Sequence, residues 1–71
     1  MLIATWDELR KPATPRDVRI RIPGIGMAEI AVTQSDIDAA HDLGGNPRFE
    51  LIEVTAVKND VPHYRLGCVE R

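Results

Sequence analysis

Chemistry in this chain has few places to start: two histidines, one cysteine and one short run of acids. The run is Asp38-Ala39-Ala40-His41-Asp42, which on a helix sets Asp38 within one turn of both His41 and Asp42. A carboxylate followed by histidine at i+3 is a spacing that helical metal sites use. One short helix supplies too few ligands to close such a site, and His63 would have to arrive from a distant segment. A solvated acidic helix face accounts for the same residues, so no metal and no cofactor are expected. Cys68 is a candidate nucleophile with His41 or His63 as its base. It alternates with Leu66 in a strand-like segment, however, and no basic residue shares that face to activate it. It reads as a buried structural cysteine, and the expectation is a non-enzyme.

Two further features invite a binding reading. Gly24-Ile25-Gly26 has the glycines of a phosphate loop, but a strand follows it rather than a helix, and no Lys-Ser or Lys-Thr pair follows. Hairpin-turn chemistry explains both glycines. Arg16, Arg19 and Arg21 form a basic stripe on the first hairpin, and a two-stranded basic ribbon can enter a major groove. Against this stand the net charge of −2, the acid Glu29 facing the stripe and the lack of interleaved aromatics. DNA association through these three arginines is therefore the alternative function.

Charge is distributed unevenly. In residues 1–23, Arg10, Lys11, Arg16, Arg19 and Arg21 outweigh Asp7, Glu8 and Asp17, a net +2. Residues 24–46 carry Glu29, Asp36, Asp38 and Asp42 with no base, a net −4. Complementary patches of this kind favour specific protein contacts. No apolar run approaches the ~20 residues of a membrane span, and the single cysteine suits a reducing compartment. A cytoplasmic protein with no membrane association and no small-molecule substrate is expected.

The elements that must position these residues are legible from pattern. Thr5 and Glu8 have capping-box spacing, with Ala4 and Leu9 at the staple positions, so residues 1–17 open with a short helix that Pro12 and Pro15 end. The competing reading makes Leu2 to Thr5 an edge strand ahead of a proline-containing connector. Val18, Ile20 and Ile22 alternate strictly, as do Ala28, Ile30 and Val32 beyond the turn. Like faces meet only across an odd loop. With Pro23–Ile25 as the loop, Val18 opposes Ile30 and Arg19 opposes Glu29; a five-residue loop opposes Arg21 with Glu29 instead. Thr33 caps a helix over about residues 34–43, with Asp36 answering and Gly44-Gly45 closing it. In the segment after Pro47 the alternation slips, Phe49 and Leu51 sharing one parity and Ile52, Val54 and Ala56 the other. That predicts a bulge near Leu51–Ile52 or a strand buried on both faces. A three-residue turn over Lys58–Asp60 opposes Val54 with Tyr64 and Ile52 with Leu66, and turns Tyr64, Leu66 and Cys68 to the core.

The sum is a single small α+β domain over residues 1–71, ordered (α)ββαββ. Two hairpins form a mostly antiparallel four-stranded sheet with one helix packed on one face. At 71 residues, with Trp6, Phe49 and Tyr64 the only aromatics, the core is thin. Trp6, Ile25, Met27, Phe49 and Leu51 look hard to bury together, so they are the expected contact surface of a protein–protein module, most simply a homodimer. Otherwise the N-terminal segment folds back and Trp6 closes the core.

Overall fold

Strict alternation over residues 18–22 and 28–32 produces the first hairpin in the register the three-residue loop requires. In the computed structural model, which describes residues 2–70 apart from the side chains of Ala56, Lys58, Cys68, Val69 and Glu70, β2 spans Arg16–Ile22 and β3 spans Gly26–Val32. Val18 pairs with Ile30, Arg19 with Glu29 and Ile20 with Ala28. Pro23 and Gly24, the latter at φ 85°, take the central positions of a type II turn, and the Ile25 N–H donates to the Ile22 carbonyl at 3.0 Å.

Helix α1 spans Gln34–Leu43. The Asp36 N–H donates to the Thr33 hydroxyl oxygen at 3.3 Å, and the Asp36 carboxylate accepts from the Thr33 N–H at 2.9 Å. At the other end the Gly44 N–H donates to the Ala40 carbonyl at 3.0 Å, with Gly44 at φ 68°. Ile37 and Ala40 are its buried residues, set by helical spacing against the sheet.

The sheet has five strands and is mixed, which corrects the expected four antiparallel ones. The fifth is β1, Leu2–Thr5, paired antiparallel with β4, Arg48–Lys58. The last strand, β5 (Val61–Glu70), lies between β4 and β3, giving the order β1-β4-β5-β3-β2. Because α1 intervenes between the hairpins, β5 runs parallel to β3 while pairing antiparallel with β4. Alternation along single strands carries no information on that choice.

The second hairpin also departs from expectation. Asn59 and Asp60, at φ 53° and 62°, make a two-residue turn closed by the Lys58–Val61 pair. Two consecutive left-handed residues are the type I′ pattern that matches strand twist. Consequently Leu51 opposes Leu66, Ile52 opposes Arg65 and Val54 opposes His63. The expected Val54–Tyr64 and Ile52–Leu66 pairs are each one residue off. The pairing shifts between Phe49 and Leu51, one step before the expected bulge, and again between Val54 and Val57. Phe49 and Leu51 thus face α1 and are buried, while Ile52 and Val54 are half-buried on the other side. Tyr64 and Leu66 are buried as expected; the core position expected for the Cys68 side chain lies outside the described residues.

Both readings of the N-terminal segment hold in part. After β1, the Glu8 carboxylate accepts from the Thr5 N–H at 3.0 Å, and the Glu8 N–H donates to the Thr5 hydroxyl at 3.2 Å. The capping box therefore forms, but it opens a single turn. The Lys11 N–H reaches back to the Trp6 carbonyl (3.1 Å) and the Arg10 N–H to the Asp7 carbonyl (2.9 Å), with Arg10 at φ 68°. This is the Schellman pattern, here without glycine. The turn is clamped to the loop before β4, where the Trp6 N–H donates to the Pro47 carbonyl at 2.9 Å and the Asp7 N–H to Asn46 Oδ1 at 2.8 Å. The Trp6 ring lies 5.4 Å from that of Phe49, and Leu9 is fully buried. Removing a fully buried leucine side chain costs about 2–5 kcal/mol. Leu9→Ala is therefore expected to lower the unfolding free energy by that amount in urea titration, although Leu9 lies outside every helix and strand. A change within about 0.5 kcal/mol, the usual range for surface positions, would contradict its place in the core.

Candidate functional site

The residues with chemical potential are not brought together. His41 is exposed on α1, which packs on the inner face of the sheet. His63 sits on β5 beside Glu29 and Val54, on the opposite face. Asp38 and Asp42 are exposed, and Asp38 accepts a 3.0 Å bond from the Gln34 side-chain amide. Among the described residues no group of three or more His, Cys, Asp or Glu could hold a metal ion. A cleft of about 320 Å³ opens between the N-terminal turn and the end of α1, with Trp6, Pro12, Ala40, Lys11 and His41 in its lining. Its volume is at the lower limit of small-molecule sites. The Lys11 ammonium is already 3.0 Å from Asp7, so His41 is left as the one ionisable lining group without an ion pair among the described residues.

The arginines do not form one stripe. Arg19 and Arg21 share the outer face, whereas Arg16 has the parity of Val18 and lies on the inner side at the strand's start. Arg19 Nη2 is 3.4 Å from Glu29 Oε2, and His63 Nε2 is 3.9 Å from the same oxygen. That histidine nitrogen is buried with no hydrogen-bond partner among the described residues. A row Val54–His63–Glu29–Arg19 therefore crosses four strands.

Of the expected contact residues, Trp6, Phe49 and Leu51 belong to the core, Trp6 being 7% exposed. They look hard to bury together from sequence because local pattern does not place the turn carrying Trp6; with that turn folded onto Phe49, the inner face closes. Ile25 (44%) and Met27 (41%) are exposed as expected, and Ile3 (41%) and Val57 (56%) join them. Sequence reasoning missed Ile3 because its segment also read as helix, and Val57 because it shares the parity of the buried Leu51 and is exposed only at the strand's end. β3 and β5 run parallel from the Glu29–His63 pair, so both hairpins turn at one end of the sheet. That end carries Ile25, Met27 and Val57. On the outer face Ile52 lies over Gly67, where a Cβ would collide with its δ-methyl. Among the described residues, no helix is long and apolar enough to cross a membrane.

Compared with known proteins, the chain matches no family model, no curated protein and no solved structure. A double-mutant cycle on Arg19→Ala and Glu29→Ala is expected to give a coupling of about 0.2–1 kcal/mol that shrinks with added salt. No coupling at low salt would free Arg19 from its carboxylate.

Proposed function

We propose that the chain is a non-enzymatic protein-binding module that acts as a homodimer in the cytoplasm. Its partner contact is the hairpin end of the sheet, with Ile25, Met27 and Val57 as apolar anchors. The exposure of these three at one end is the observation that carries this reading. Met27 has the outer and Val57 the inner parity, so with Ile25 they frame the sheet's end from both faces; apolar side chains gathered in one region mark interaction surfaces more than scattered ones do. Arg19 and Arg21 on the adjoining strand, with Glu29, set orientation, since charge complementarity contributes specificity. The groove-reading alternative is weakened by the same geometry. Arg16 points to the other face and Arg19 is held by Glu29, which leaves Arg21.

Affinity capture from the native organism's lysate, with and without nuclease, tests the reading. A specific protein is expected to survive nuclease treatment and to be lost when Met27→Glu and Val57→Glu are combined, with the thermal midpoint held. Loss of every partner on nuclease treatment would favour nucleic acid. Undiminished capture by the double variant would remove the hairpin end as the contact.

A further inference from the structure

β2 is a seven-residue edge strand: among the described residues, none pairs with its outer side. Unpaired strand edges template pairing with another strand. The turn sets which groups are free. The Ile22 carbonyl accepts from Ile25 across the turn, so it faces β3. Backbone groups alternate along a strand, so those of Asp17, Arg19 and Arg21 point to the free edge.

The side chains on those three residues are self-complementary. Antiparallel pairing of β2 with a second copy about a two-fold axis at Arg19 opposes residue 17 with 21, 18 with 20 and 16 with 22. Asp17 then faces the other copy's Arg21 twice over. Neither the Asp17 carboxylate nor the Arg21 guanidinium has an ion-pair partner among the described residues. Val18 faces Ile20, and Ile20 is half-buried at this edge, packed against the core with one side open. The one like-charged meeting, Arg19 with its copy, is relieved by Glu29 at 3.4 Å in each chain. The register that moves the axis to Ile20 instead sets Arg19 against Arg21 and has no such relief.

We infer that β2 pairs edge to edge with a second copy of this chain in this register. The pairing forms a continuous ten-stranded sheet held by about six backbone hydrogen bonds and two symmetric Asp17–Arg21 ion pairs. An isologous contact of this type closes at two copies and does not propagate. It leaves the hairpin ends free and supplies two of them per dimer. The inference rests on the homodimer reading above and specifies its interface.

Sedimentation velocity over roughly 5–500 μM tests it on the wild-type chain, Asp17→Arg, Arg21→Asp and the double swap. All four are expected to fold alike by circular dichroism, since both positions are exposed. The wild type is expected to dimerise, each single reversal to weaken the dimer at least about tenfold, and the double swap to restore it to within about threefold. A dimer indifferent to both reversals would overturn edge pairing while leaving the homodimer reading intact. A wild-type monomer throughout would overturn both, and partner capture through the hairpin end would stand on its own result.

Discussion

Trp6 against Phe49 is the contact on which the rest of the molecule depends. It joins the first turn of the chain to the start of β4, and the 5.4 Å ring pair sits over the otherwise open end of a two-layer fold. Backbone bonds from Trp6 to Pro47 and from Asp7 to Asn46 fix the same junction and tie the turn that carries the ring to the loop before β4. A chain of this length has a total stability of about 4–10 kcal/mol. A buried Phe or Trp contributes about 3–5 kcal/mol when truncated, which is a large share of that total. The N-terminal segment is accordingly part of the core and not an appendage.

Closing the inner face within one chain moves the question of association elsewhere. The outer face of the sheet has no covering layer among the described residues, yet it is not uniformly apolar. Its centre is the row of Arg19, Glu29 and His63, and the half-buried Ile52 and Val54 lie to one side. Apolar exposure is concentrated where the hairpins turn, and unpaired backbone at the β2 edge. Those two features meet at Arg21, which pairs with Met27, yet suit different contacts, one with a partner's apolar pocket and one with another strand.

Much of this was legible in residue order. Thr33 with Asp36 and Gly44 bounds the helix without error, because caps are local and their donors and acceptors are three or four residues apart. Loop parity restricted the first hairpin to two registers, and the type II turn at Pro23-Gly24 realises the one that pairs Val18 with Ile30. What failed was non-local or depended on bulges. Ile3 and Trp6 could not be placed until β4 was there to receive β1 and Pro47 to receive the Trp6 N–H. Val57 keeps the parity of Leu51 across a two-residue irregularity but is exposed at the end of the strand, and Asn59-Asp60 made a tighter turn than Lys58-Asn59-Asp60 suggested. The parallel meeting of β3 with β5 leaves no trace in either strand's own pattern.

Trp6 completes the core inside a single chain, and its indole is the only one in the sequence. Its fluorescence therefore reports that burial alone. Blue-shifted emission resistant to acrylamide is expected, unchanged from dilutions where the chain is monomeric up to those where it associates. Red-shifted, freely quenched emission in the dilute chain that turns blue only as copies associate would contradict it.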